Sequence, residues 1–184
     1  MLKGQKVAFL DRDGVINLDV GYVAKWCDFK FKSGAINGLK RLIKLGYKII
    51  IITNQSGIAR QYFSLKEYDN ITRNMVQTLL HHNISILDIY MCPHHPQGKH
   101  PEYTKACMCR KPKPGMILRA IKEHKINIPK SILIGDKLTD VQAGNLAGIS
   151  NCYLFWSKYL VDKIFFAPVF NNWHDLIVTL SKER

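Results

Sequence analysis

The sequence contains no run of about 18 uncharged apolar residues, so no segment reads as a membrane-spanning helix. Its first residues, MLKGQKVAFLDRDG, have too short an apolar stretch for a signal peptide and no small-residue cleavage site. A cytoplasmic protein without a membrane partner is the expectation. Acidic residues are scarce, 14 against 27 lysines and arginines, and the net charge of +13 favours anionic partners. The basic residues are spread along the chain, not gathered in a block. Aromatic stacking patterns and the phosphate-binding motif G-x-x-x-x-G-K-[ST] are both missing, so no nucleic-acid partner is expected. Internal repeats, low-complexity stretches and linkers are also lacking. The cysteines number five, an odd count with three of them between positions 92 and 109, which argues against a disulfide framework. Cys27 and Cys152 stand apart from these and read as small packing residues.

What is present is an alternation of strands and helices over 184 residues, enough for one domain spanning residues 1–184. Lys6–Leu10 reads as a short buried strand and Ala35–Leu45 as a helix with an apolar stripe ended by Gly46. Tyr47–Thr53, with four consecutive isoleucines, reads as a strand covered on both faces. Ser64 and Glu67 form a capping-box pattern for a helix running to about His82. Strands follow at Ile86–Met91, Ser131–Ile134 and Asn151–Phe155, and helices at Gly115–His124, Thr139–Leu146 and Trp173–Leu180. Ser157–Asn172 reads as a loop able to hold a short strand or helix. Such alternation implies right-handed crossovers, a parallel sheet and helices on both of its faces.

Ligands of open parallel sheets bind at the carboxyl ends of the strands. Asp11 and Asp13 follow the first strand, Thr53 and Asn54 the second, Arg110 and Lys111 the third, and Asp136 and Asp140 the fourth. This mixture suits phosphoryl transfer. A carboxylate can attack phosphorus, and a magnesium ion on hard oxygen ligands can offset the repulsion between the two anions. A lysine and short polar groups can hold the equatorial oxygens, and a second carboxylate can serve as acid and then base.

In this order the segments FLDRDGVIN (Phe9–Asn17), ITNQSG (Ile52–Gly57), Arg110-Lys111-Pro112 and GDKLTD (Gly135–Asp140) resemble the four motifs of the haloacid dehalogenase superfamily of phosphatases. The resemblance covers roughly residues 5–155. It implies a Rossmann-like α/β fold: three layers, a central parallel sheet and no large cap domain, because only about twenty residues separate the first motif from the next helix. It further implies Asp11 as nucleophile, Asp13 as general acid and base, and Thr53 and Asn54 on the phosphoryl group. Lys111 would neutralise that group. Magnesium would sit on Asp11, the Asp13 carbonyl and Asp136, with Asp140 in support. Gln55 and Ser56 of the second motif, with Asp19 and Tyr22 of the loop after the first, are expected to face substrate.

Cys92, His94, Cys107 and Cys109 make a complete N/S donor set for one structural zinc ion in a loop at 92–110. His95 and His100 are spare imidazoles, either of which could replace His94. The strings CPHHPQG (Cys92–Gly98) and Cys107-x-Cys109-Arg110-Lys111-Pro112 resemble the heptose bisphosphate 7-phosphatase branch of the superfamily. The histidinol-phosphate phosphatases, which usually have a shorter loop between the two ligand pairs, are the alternative. That resemblance implies a small phosphorylated sugar as substrate and a monomer. In an open, uncapped site Arg110 and Lys137 are expected to be available to a second phosphate. The chain departs from this branch at Ser33, where a proline is usual, and in its high charge.

Overall fold

The elements follow from the apolar pattern almost residue by residue. In the computed structural model, which describes residues 4–160 and 167–182, six strands form one sheet: β1 (Val7–Leu10), β2 (Lys48–Asn54), β3 (Ile86–Cys92), β4 (Ile132–Gly135), β5 (Asn151–Phe155) and β6 (Val169–Phe170). The order is β3-β2-β1-β4-β5-β6 and every pairing is parallel. Five helices accompany them: α1 (Ala35–Lys44), α2 (Leu65–His81), α3 (Gly115–His124), α4 (Leu138–Leu146) and α5 (Trp173–Lys182).

Strand side chains alternate between faces, and the two faces carry separate cores. Ala8, Leu10, Ile49, Ile51, Ile132 and Ile134 pack with Leu39 of α1, Met75 of α2 and Trp173 of α5. Val7, Phe9, Ile50, Ile52, Leu133 and Leu154 pack with Ile117 of α3 and Val141 of α4. Ile49 through Ile52 are all 0% exposed, as a strand covered on both sides requires. This is the expected three-layer α/β/α arrangement. The capping box of α2 forms as read: Glu67 N–H donates to Ser64 Oγ at 3.2 Å and Ser64 N–H to Glu67 Oε2 at 2.7 Å. β6 is the short strand that the loop reading of Ser157–Asn172 allows; the part of that segment at 161–166 is outside the described residues. Cys27 differs from its expected packing role. It is exposed in a short 3-10 turn whose neighbour Trp26 stacks on Phe29 at 5.0 Å and so takes the packed position.

Strand order reverses between β1 and β4, and the crevice at a parallel sheet's carboxyl edge opens at such a point. Asp11 extends the β1–β4 pairing by one bond, its N–H donating to Ile134 O at 3.0 Å. The chain then turns tightly through Gly14, with Gly14 N–H to Asn17 O at 2.8 Å. No domain is inserted between Asn17 and α1; the connection holds one 3-10 turn and an isolated antiparallel bridge from Asn17 to Phe31. Among the described residues no helix is long and apolar enough to cross a membrane.

Trp173 anchors the turn from below. It is 1% exposed, and its indole N–H donates to Val15 O at 3.0 Å. Replacing it with alanine removes a large buried side chain and this bond, so Trp173→Ala should cost about 3–5 kcal/mol in urea unfolding. A loss below about 1 kcal/mol would show that α5 does not brace the β1 turn.

Candidate active site

Three buried carboxylates meet at the switch point. One oxygen from each of Asp11, Asp136 and Asp140 lies within 4.8 Å of the others. Local backbone makes the meeting sterically feasible. Gly14, at φ +83°, passes so close to Asp136 that a Cβ would collide with the carboxylate, and a Cβ on Gly135 would collide with Asp140. Asp140 Oδ2 accepts the Asp136 and Lys137 N–H groups at 3.2 and 3.0 Å, closing the start of α4.

Lys111 holds the cluster together. Its Nζ lies 3.0 Å from Asp11 Oδ1 and 2.6 Å from Asp140 Oδ1, and donates to Ile52 O at 2.9 Å. Burial alone would lower the lysine's pKa, but Asp11 and Asp140 outweigh it and hold the ammonium above its ordinary value. Burial raises Asp11 to about 6; Lys111 restrains that rise while Asp140 and Asp13 add to it. Asp136 goes further, to about 8, through burial and the Asp11 charge, with Lys137 opposing. Asp136 is 0% exposed and its carboxylate oxygens accept no hydrogen bond among the described residues. Two open, hard oxygen acceptors beside Asp11 fit a small divalent cation. Lys32 adds a cation below, donating to Gly14 O at 2.8 Å; burial lowers it and Asp136 partly offsets that.

Asp13 is oriented differently. Arg12 Nη2 donates to both of its oxygens at 3.0 Å, Asn17 Nδ2 to Oδ1 at 2.9 Å, and Gln55 Nε2 to Oδ2 at 2.8 Å. Gln55 also donates to Thr53 Oγ1 at 2.8 Å, which leaves the threonine proton free for another acceptor. Asn54, expected to face phosphate, uses its amide on the Lys111 backbone: Lys111 N–H donates to Oδ1 and Nδ2 donates to Lys111 O, each at 3.1 Å. It thereby fixes the lysine.

Above these residues lies a cavity of about 380 Å³. Asp13, Asn54, Gln55, Ser56, Arg110 and Lys111 line one part of it, and Asp19, Tyr22, Lys137 and Tyr159 the rest. Lys137 Nζ donates to Asp19 Oδ2 at 2.9 Å, and Tyr22 packs edge-on against Tyr62 at 4.6 Å. Size alone does not mark the site. A larger groove of about 530 Å³ between α1 and α5 is lined by Trp173, Ile177 and Val178 and by no carboxylate.

A second cluster lies where β3 ends. Sulfur and nitrogen atoms approach as Cys92–Cys107 3.5 Å, Cys107–Cys109 3.2 Å, Cys92–His94 Nδ1 3.7 Å and Cys109–His94 Nδ1 3.4 Å. Ligands about 2.3 Å from one zinc stand roughly 3.7 Å apart at tetrahedral corners, so this soft donor set fits a closed metal site. The loop is tied to the cavity: Arg110 Nη1 donates to His94 O at 3.2 Å and Gln55 N–H to Cys92 O at 2.8 Å. Lys99 N–H donates to Ala59 O at 2.6 Å, and Arg60 Nη2 lies 3.0 Å from His95 Nε2.

The expected residues Asp11, Asp13, Thr53, Asn54, Gln55, Lys111, Asp136 and Asp140 are thus within one bonded network, and Asp19, Tyr22, Ser56, Arg110 and Lys137 surround the same cavity. Reading the sequence missed Arg12, Asn17, Lys32 and Tyr159. Arg12 and Asn17 fall within the quoted FLDRDGVIN segment, but Lys32 and Tyr159 reach the site only through tertiary packing.

The sheet order, the carboxylates after β1 and β4 and the buried lysine between them are those of a haloacid-dehalogenase-type phosphatase. A family profile described as Polynucleotide kinase 3 phosphatase matches residues 6–157. D-glycero-alpha-D-manno-heptose-1,7-bisphosphate 7-phosphatase of Photorhabdus laumondii is 54% identical over 149 residues, 81% of each chain. D-glycero-beta-D-manno-heptose-1,7-bisphosphate 7-phosphatase of Haemophilus influenzae is 50% identical over 76% of this chain and 75% of its own. The crystal structure of D,D-heptose 1,7-bisphosphate phosphatase from B. bronchiseptica, complexed with magnesium and phosphate, superposes with a TM-score of 0.86 at 28% identity, covering 98% of this chain and 100% of that one. This chain belongs to the heptose-1,7-bisphosphate 7-phosphatase family.

A carboxyl whose folded pKa is raised stabilises the fold below its unfolded value and loses that contribution as pH rises through the folded one. For Asp11 and Asp136 the loss runs from the ordinary 3.8 up to about 6 and about 8. A divalent cation binds the ionised forms, so magnesium chloride should raise the melting temperature strongly near pH 8 and very little near about pH 4. Equal shifts at both values would remove these carboxylates as the cation site.

Proposed function

We propose that this protein is a magnesium-dependent phosphatase that removes the 7-phosphate of D-glycero-D-manno-heptose 1,7-bisphosphate, leaving the 1-phosphate, in nucleotide-heptose synthesis for lipopolysaccharide or a related glycan. The observation that carries the reading is the ion-paired Asp11–Lys111–Asp140 arrangement beside the unbonded carboxylate of Asp136, below a cavity that also presents Arg110 and Lys137. Identity of 42–54% to proteins named for this reaction supports the substrate, and the magnesium and phosphate in the B. bronchiseptica relative support the cation.

In this reading Asp11 attacks phosphorus through its outer oxygen, forming an aspartyl phosphate while the bond to the sugar's 7-oxygen breaks. Asp13, turned away from Arg12, gives that oxygen its proton. The same carboxylate then takes a proton from the water that attacks the aspartyl phosphate, releasing phosphate and restoring Asp11. Lys111 and the Thr53 hydroxyl face the oxygens of the transferring group. Magnesium, when held by Asp11, Asp136 and the Asp13 carbonyl, supplies charge neutralisation between nucleophile and phosphate. Arg110 and Lys137 receive the second phosphate, with Asp19, Tyr22, Asn54, Gln55 and Ser56 shaping the space between.

Zinc in the Cys92, His94, Cys107 and Cys109 cluster is structural in this reading. It fixes the loop whose continuation is Arg110-Lys111, because a closed donor set leaves no position for water. Thiols kept for a metal fit the reducing cytoplasm. The same reading takes the protein as a monomer acting on a small phosphorylated sugar, without a nucleic-acid or membrane partner.

Phosphate release should be measured from both anomers of the heptose bisphosphate and from histidinol phosphate, with and without magnesium. The bisphosphate should be preferred, and Asp11→Asn should abolish turnover because an amide is not a nucleophile here. Normal activity in that variant, or preference for histidinol phosphate, would overturn the assignment. Elemental analysis should find one zinc per chain, lost in Cys109→Ser together with thermal stability; a metal-free wild type of full stability would contradict the structural role.

A further inference from the structure

Tyr159 comes from a part of the chain that carries none of the phosphatase motifs. It sits in the 3-10 turn Lys158–Leu160 that follows β5, and that turn is pinned from two sides. Leu160 is 0% exposed in the core beneath, and its N–H donates to Ser157 O at 3.1 Å. Ser157 Oγ donates to the backbone carbonyl of Asp136 at 2.6 Å. The turn is therefore bonded to the residue that follows β4, and Tyr159 is delivered to the cavity wall.

There the tyrosine meets Lys137. The ammonium lies 4.3 Å from the centre of the Tyr159 ring, 2.9 Å from Asp19 Oδ2 and 3.8 Å from Asp136 Oδ1. Burial would raise the Asp19 pKa, but the hydrogen bonds from Lys137 and from Gly21 N–H, with the Tyr159 hydroxyl nearby, hold it below the usual carboxylate range. The Tyr159 ring thus meets the ammonium of the Lys137–Asp19 pair directly. The pair poses an electrostatic problem for an anionic substrate. Asp19 is an anion on the cavity wall, and a phosphate entering beside it is repelled unless the ammonium stays between them. Lysine has a flexible four-carbon stem and a compact charge, so nothing in its own covalent structure keeps it there. A ring face attracts the ammonium while leaving its N–H donors for Asp19 and for substrate oxygens.

We propose that Tyr159 is a positioning residue that holds Lys137 for the second anionic group of the substrate, and so sets the preference for a bisphosphate over a monophosphate. This rests on the bisphosphate reading above. Tyr159 does not touch the reacting atoms. Its influence runs through Lys137, and the Asp11–Lys111–Asp140 contacts do not involve it.

The test compares the wild type with Tyr159→Leu and Tyr159→Phe on two substrates, heptose 1,7-bisphosphate and 4-nitrophenyl phosphate. Losing the ring face should raise KM for the bisphosphate about three- to tenfold. The bisphosphate kcat and both constants for 4-nitrophenyl phosphate should stay within about twofold. Tyr159→Phe keeps the face and should recover most of the bisphosphate KM. Equal losses on both substrates in Tyr159→Leu would show a merely structural role, and unchanged bisphosphate constants would show no role; either overturns the proposal. A wild type that does not prefer the bisphosphate would instead remove the functional reading itself, and the Tyr159 role with it.

Discussion

A buried ammonium lies between two buried carboxylates, and the rest of the molecule is organised to put it there. Asp11, Asp136 and Asp140 are each 6% exposed or less, and at such separations like charges repel strongly in a medium less polar than water. Lys111, itself 3% exposed, lies within ion-pair distance of two of them. Removing one partner of a buried ion pair typically costs about 3–5 kcal/mol, because the other charge is left uncompensated. Asp140 is thereby committed to the lysine and to the backbone of α4. Asp136 keeps open oxygens, and Asp11 remains an ion close to neutral pH. Unequal environments give three identical side chains three different states.

Lys111 is delivered by long-range connections. Asn54 at the end of β2 bonds both faces of its peptide, and the Cys/His cluster at the end of β3 holds Arg110 beside it. The metal-type cluster and the reaction centre are therefore one mechanical unit. Asp13 belongs to a second unit, clasped by Arg12, Asn17 and Gln55. The proposed proton exchange at Asp13 benefits from a holding position from which the carboxylate can turn, whereas the proposed nucleophile benefits from none. The cavity wall of Asp19, Tyr22, Lys137 and Tyr159 lies on turns, where specificity can vary without disturbing the sheet.

Much of this was legible in the chain itself. The four-isoleucine strand, the Ser64–Glu67 cap and the carboxylates at strand ends each follow from a local rule, and the parallel order follows from their alternation. What stayed hidden depends on residues far apart in sequence. Lys32 bonds a carbonyl 18 residues away, and no periodicity announces that. β6, in the segment that reads as a loop able to hold a short strand, is two residues long, too short for an alternating pattern to place it. Asn54 was read as facing phosphate because its position after β2 is right; only the approach of the 110–112 segment shows that its amide is already occupied. Cys27 reads as packed because isolated cysteines often are, but the half-buried Trp26 and the buried Phe29 take the packed positions instead.

Direct titration of the carboxylates by carbon-13 NMR in the cation-free wild type tests the central claim. With Lys111 stabilising Asp11, its carboxyl should titrate near about 6, clearly below Asp136 near about 8. Asp11 titrating at or above Asp136 would mean that Lys111 does not set the charge state of Asp11.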